Sequence, residues 1–155
     1  MAGASPPTPT GVSIHRLLSG ALNVFIPYDG DATRAWFREI TQSPSLKLRW
    51  EMQHPAHWVL GRSHLSAITF AVARRFGEVE LVMDYRRAEA CGVKCQEAVS
   101  IDCTCSCLGL QHGGPSNLNH IAIVTAEEIP GRVVRVSRRV TPEMETERPV
   151  TARGI

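Results

Sequence analysis

The residues with the clearest chemical potential lie in one short segment. All five cysteines of the 155-residue chain fall within seventeen positions, and a histidine follows five residues later. Thiolates and imidazole together are typical zinc ligands. The candidate donors exceed the four that one tetrahedral zinc requires, so the segment predicts either one ion held by a subset or two ions that share a bridging thiolate. The predicted ligands are Cys91, Cys95, Cys103, Cys105, Cys107 and His112.

Such thiols can support chemistry other than zinc binding. An iron–sulfur cluster, as in a redox sensor, is the main alternative, although the cysteine spacing matches neither common ferredoxin pattern. Disulfides are less expected, because clustered thiols in a reducing cytosol are more often metal ligands. Simple packing of buried cysteines is a weaker hypothesis, because five thiols within seventeen positions far exceed ordinary cysteine use. A catalytic thiol is also weaker, since metal capture would quench such crowded nucleophiles. His120 begins a predicted strand and is not expected to be a ligand.

Composition indicates a globular protein rather than a membrane or highly charged one. Hydrophobic residues make up 43% of the chain, and the formal net charge is +2. Neither a run of about 20 apolar residues nor a secretory signal pattern is present. The phosphate-binding loop, the G-x-S-x-G nucleophile motif and the H-E-x-x-H zinc motif are also absent. We therefore expect a cytoplasmic, non-enzymatic protein with no membrane partner.

The pattern of apolar residues predicts an α+β fold. A strand ending at Ile26, a helix over 32–41, two strands around His54–Ala56, a helix over 63–76 and a strand over 78–84 follow in order. This βαββαβ order is the split βαβ arrangement of ferredoxin-like domains. We predict a disordered leader over 1–12, an α+β domain over 13–86, the metal-binding knot with a packed β-hairpin over 87–140, and a flexible tail over 141–155.

Basic and aromatic residues suggest a second function. The predicted C-terminal hairpin turns at Ile129–Gly131, and its second strand contains four arginines that are candidate phosphate contacts: Arg132, Arg135, Arg138 and Arg139. A merely solvated face is the alternative, because side chains alternate along a strand and the four do not share one face. Trp36, Trp50 and Trp58 are expected mainly in the core, with base stacking as the alternative.

Two segments resemble known proteins. The pattern C-x-C-S-C-x-G-x-x-H-G at 103–113, preceded by C-x3-C, resembles a motif of small uncharacterised proteins from actinobacteria, their phages and their plasmids. Residues 22–85 are similar to the HARP domain of annealing helicases, with a Tyr28–Asp29 turn, a short helix, a strand ending near Trp50 and a hairpin to Trp58. Because helicase motifs are absent, this second resemblance implies a module that binds DNA without motor activity.

Together these features predict a zinc-stabilised binding protein whose partner is DNA or RNA, in a phage or mobile-element setting. A protein adaptor or inhibitor that docks on a host protein is the competing class.

Overall fold

The computed structural model describes residues 11–53, 55–87 and 121–146. Along the chain, the elements are the strands β1 (Ser13–Arg16) and β2 (Leu22–Phe25), helix α1 (Gly30–Ile40), strands β3 (Arg49–Glu51) and β4 (His57–Leu60), a 3₁₀ turn (Arg62–His64), helix α2 (Leu65–Phe76), strands β5 (Val79–Arg86), β6 (Ile123–Ile129) and β7 (Val133–Val140), and the short helix α3 (Glu143–Thr146).

The described strands form one mixed sheet in the order β3-β4-β2-β1-β5-β7-β6. Strands β1 and β5 are parallel, with Ile14 opposite Leu81, whereas the other neighbours are antiparallel. Val124 is the extra residue of a β-bulge in β6, because Ile123 pairs with Arg138 while Thr125 pairs with Ser137. Such a bulge disrupts the regular ladder at the edge of a sheet.

The hydrophobic core lies between one face of the sheet and the helices α1 and α2. Cross-strand partners share a face, so the buried residues Ile14, Val24, Trp58 and Leu81 project to the same side. Helix α2 adds the apolar stripe of Leu65, Ile68 and Val72, and helix α1 adds Phe37. Gly77 ends α2 with a positive φ of 92°, a conformation that glycine adopts without strain.

The prediction of a mixed α+β fold is confirmed, but the ferredoxin-like topology is wrong. The apolar pattern predicts one strand in the stretch that ends at Ile26. Two strands form there instead, joined by a turn in which Gly20 has a φ of 91°. Strand β1 lies between β2 and β5, so the strand before α1 and the strand after α2 are not neighbours. The leucines of this turn, Leu17 and Leu18, make it resemble part of a strand in sequence.

The C-terminal hairpin extends the main sheet. Strands β6 and β7 pair antiparallel, and β7 also pairs with β5 along its whole length. Helix α3 lies in the range predicted as a tail, and its Met144 packs against the core while Glu145 forms an ion pair with Arg74. Among the described residues, no helix is long and apolar enough to cross a bilayer.

Candidate functional site

The predicted metal ligands lie outside the described residues. This holds for Cys91, Cys95, Cys103, Cys105, Cys107 and His112, and also for His120. Over 11–53, 55–87 and 121–146, no group of three or more His, Cys, Asp or Glu side chains is arranged to hold a metal ion. The zinc site therefore stays a prediction from donor type and spacing.

The four arginines predicted to bind nucleic acid have different environments. Arg132 is exposed in the β6–β7 turn, with a φ of 60°. Arg139 is exposed and pairs with Glu78 at 2.6 Å. Arg138 is only 1% exposed and lies on the helix-covered face, where it donates to the Tyr85 hydroxyl and the Ile121 carbonyl at 3.4 Å. The four side chains thus do not form one surface.

Arg135 belongs to a buried ion pair on the opposite face of the sheet. Its Nε and Nη2 atoms donate to the two carboxylate oxygens of Asp84 at 2.8 and 2.9 Å. The two residues are directly opposite in the β5–β7 register, so the pair joins these strands through their side chains as well as their backbones. A bidentate pair of this kind fixes both geometry and register.

His15 is a second buried polar group on that opposite face. It is 1% exposed, its ring lies 4.5 Å from that of Phe25, and its Nε2 has no hydrogen-bond partner among the described residues. Burial, together with the positive charge of Arg135 and the nearby His57, lowers the pKa of His15 from 6.5 to about 4. His15 is therefore neutral at pH 7, which suits a structural role better than proton transfer at that pH.

Aromatic rings form a compact cluster at the β3–β4 end of the sheet. Trp50 and Trp58 are cross-strand partners, and their rings meet edge to face with centroids 5.1 Å apart. Tyr28, from the turn before α1, lies 4.7 Å from Trp50 and is stacked nearly parallel to Trp58 at 5.7 Å and 11°. Trp58 is fully buried, Trp50 is half-buried and Tyr28 is 59% exposed. The outer ring of the cluster therefore faces solvent.

Arg34 places a positive charge on this cluster. From helix α1, its guanidinium lies 4.9 Å from the Trp58 ring centroid, a cation–π distance. Among the described residues, Arg34 has no carboxylate partner and its guanidinium donates no hydrogen bond. A half-buried arginine with unused donors beside an exposed aromatic ring is suited to bind an anionic, ring-containing ligand.

Two further cations lie near Arg34 in the fold. Arg38 lies one helical turn after Arg34 and donates to the Leu46 carbonyl at 3.1 Å, which ties α1 to the segment before β3. Lys47 follows Leu46 in the chain and is exposed. We call Tyr28, Arg34, Trp50 and Trp58 the aromatic–arginine surface, with Arg38 and Lys47 at its margin.

The sequence analysis identified only part of this surface. Trp50 and Trp58 are expected mainly in the core, with base stacking as the alternative. Arg34 receives no role from the sequence, and Tyr28 appears only as part of a turn. The spacing of Arg34 and Arg38 by four residues places both on one side of a helix, and this is the signal that was available. The meeting of Tyr28 with the two tryptophans depends on tertiary packing between three elements.

Comparison with known proteins adds no assignment. The chain matches no protein-family model, and neither the curated proteins nor the solved structures contain a match. The resemblances to the actinobacterial cysteine motif and to the HARP domain therefore stay predictions.

Proposed function

We propose that this protein is a non-enzymatic nucleic-acid-binding module whose aromatic–arginine surface binds a single strand. The observation that carries the proposal is Arg34, which lies over the Trp58 ring with its hydrogen-bond donors unused in the described structure, next to the exposed ring of Tyr28. Arginine donates well to phosphate oxygens, and base–aromatic stacking contributes about 1–3 kcal/mol per base. Both contacts are available within one small area.

A single strand fits this surface better than a duplex does. Bases can stack on a protein ring only when they are unpaired, because the faces of bases in a duplex are occupied by their neighbours. Few cations near the surface are available to contact phosphates. Arg34 and Lys47 have no carboxylate partner in the described structure, whereas Arg49 pairs with Glu51. We therefore expect electrostatic attraction to contribute modestly to the affinity. Stacking would then supply a large part of the affinity.

The proposed zinc ions would stabilise the fold and take no part in a reaction. Five thiolates and an imidazole match the donor preference of zinc, and metal binding to such segments contributes directly to folding. The cysteine segment lies in the chain between β5 and β6, so a bound metal would constrain the connection between these two strands. An iron–sulfur cluster is the alternative; it would give the protein visible absorption, whereas a zinc protein is colourless.

The first test is the binding of labelled oligothymidylate, followed by fluorescence anisotropy across a series of salt concentrations. We expect Arg34→Gln to lower affinity about tenfold or more at low salt, because a charge-assisted hydrogen bond contributes about 1.5–3 kcal/mol. The slope of log affinity against log salt should fall by about one.

Two matched variants serve as controls for Arg34→Gln. Arg74→Gln removes an exposed charge that is engaged with Glu145, and its affinity should stay within about twofold of the parent protein. Arg132→Gln tests the arginines of the hairpin. Equal losses in Arg34→Gln and Arg74→Gln would indicate non-specific charge binding, and no binding at low salt would refute the proposal.

A protein partner is the second candidate. Met52 follows β3, two residues after Trp50 in the chain, and is 80% exposed. Methionine and aromatic residues are common at protein interfaces. If Met52→Ala abolishes the capture of a host protein while oligonucleotides fail to bind, the surface is a protein-docking site.

A further inference from the structure

We propose that residues 88–120 cross the sheet on the side that carries α2, and that they dock on the β5–β7 face that bears Tyr85, Val136 and Arg138. This segment contains every cysteine of the chain and lies outside the described residues. Three observations carry the proposal: the directions of the strands, the position of Ile121, and the burial of side chains on β7. It concerns the fold and does not depend on the proposed nucleic-acid function.

The strand directions require a long return of the chain between β5 and β6. Both strands pair antiparallel with β7, so β5 and β6 run parallel to each other with β7 between them. Arg86 at the end of β5 pairs with Val133, whereas Ile123 at the start of β6 pairs with Arg138. The connection therefore runs back about 17 Å along the strands, at about 3.3 Å per residue, and crosses one face of the sheet.

The handedness of parallel connections selects the face. Strand β4 is also parallel to β5, and helix α2 connects these two strands. Connections between parallel strands of one sheet are right-handed in about 98% of cases. The steps from β4 to β5 and from β5 to β6 advance in the same direction across the sheet. Two right-handed connections that advance in one direction lie on the same face, so residues 88–120 belong on the side of α2.

Ile121, the first described residue after the segment, lies on this same side. It is 2% exposed and belongs to the hydrophobic core. Its carbonyl oxygen accepts a hydrogen bond from the Nε of Arg138 at 3.4 Å. Arg138 pairs with Leu81 in the β5–β7 register, and the side chains of both lie on the face that α2 covers. The end of the segment therefore reaches the sheet where the handedness of the connection places it.

The side chains around Arg138 are buried more completely than α2 alone can achieve. Tyr85 and Val136 are fully buried, and Arg138 is 1% exposed. A helix is about 10–12 Å wide and covers about two strands, because neighbouring strands lie about 4.8 Å apart. Helix α2 connects β4 to β5 across β2 and β1, which leaves β7 at its margin. Helix α3 follows Val140, about 13 Å beyond Val136 along β7. A further layer beside α2 accounts for the burial.

The proposed position separates the predicted metal ligands from the aromatic–arginine surface. The ligands would lie beside α2 and over β7, whereas Trp58 lies on β4, four strand spacings or about 19 Å away. A metal bound by the cysteine segment would then stabilise the β5–β7 half of the sheet and would not contact a ligand at Trp58.

The test is photo-crosslinking of the full chain with p-benzoylphenylalanine in place of Ala126 or, as the matched control, in place of Glu127. Both residues are exposed neighbours on β6, but Ala126 pairs with Val136 on the α2 side, whereas Glu127 pairs with Arg135 on the opposite face. After irradiation and digestion of the monomer, mass spectrometry should find links to residues 88–120 from position 126 and none from position 127. Links from position 127 only, from both positions or from neither would overturn the proposal.

A second measurement uses the unsubstituted protein, so it does not depend on how a variant folds. Nuclear Overhauser contacts from the Val136 methyl groups should reach protons of residues 88–120. If these methyl groups contact only the described elements, the proposal is wrong. Neither experiment includes an oligonucleotide, so a negative result leaves the proposed nucleic-acid function unchanged.

Discussion

His15→Phe should remove a large part of the stability that the protein loses when the pH falls. The lowered pKa means that the unfolded chain binds a proton at His15 near pH 6.5, while the folded protein does so only near pH 4. Stability linked to His15 is therefore complete above pH 6.5 and is lost progressively as the pH falls toward 4. At about 1.4 kcal/mol per pH unit between the two pKa values, the total is about 3 kcal/mol, of which about 2 kcal/mol is lost between pH 7 and pH 5.

The assay is urea unfolding of the parent protein and the variant at both pH values. Phenylalanine keeps a ring against Phe25 and removes the buried, titratable imidazole. Its larger ring shifts stability by a constant amount, so the quantity to compare is the loss between pH 7 and pH 5. We expect this loss to be smaller by about 2 kcal/mol in the variant, with unchanged m-values. A nuclear magnetic resonance titration of the imidazole should give a midpoint near pH 4.

The reasoning fails if both proteins lose the same stability between pH 7 and pH 5. It also fails if the imidazole of His15 titrates near 6.5, because that would mean that the ring is hydrated and has no buried, positively charged surroundings.

Two further predictions concern the ion pair and the metal. Asp84→Ala should lower the free energy of unfolding in urea by about 3–5 kcal/mol, because it leaves the largely buried Arg135 guanidinium without its carboxylate partner. A loss below about 1 kcal/mol would show that the ion pair is freely hydrated. Cys107→Ser should lower the zinc content of the purified protein in elemental analysis and reduce its melting temperature, because metal affinity contributes to folding. If both Cys107→Ser and Cys95→Ser keep the zinc content and the melting temperature of the parent protein, the zinc prediction is wrong.

Much of the secondary structure follows from local patterns. The helix expected over 63–76 forms as Leu65–Phe76 after a 3₁₀ turn, and the paired strands around Pro130 form the β6–β7 hairpin. These elements have strong periodicity and clear end signals such as Gly77. The strand order was not accessible in the same way. It depends on β1, a four-residue strand that ends at the buried Arg16 and is followed directly by the apolar Leu17 and Leu18, so the apolar pattern does not show where this strand ends.

The candidate site shows why residue type alone was insufficient. Alternation along β7 placed Arg135 and Arg139 on one face, as the register confirms, but it could not show that Arg135 is paired with Asp84 or that Arg138 lies against Tyr85. Conversely, the four-residue spacing of Arg34 and Arg38 indicates a shared side of a helix and gives Arg34 no binding role by itself. Its significance comes from the Trp58 ring, which is distant in sequence and adjacent in space.

The most direct test of the account is an ¹H–¹⁵N correlation spectrum recorded while unlabelled oligothymidylate is added to the ¹⁵N-labelled protein. The account predicts that the indole N–H signals of Trp50 and Trp58 and the Arg34 Nε–H signal shift together and saturate, while the Arg139 Nε–H signal stays in place. Shifts confined to the β6–β7 hairpin, or an unchanged spectrum at low salt, would contradict binding at the aromatic–arginine surface.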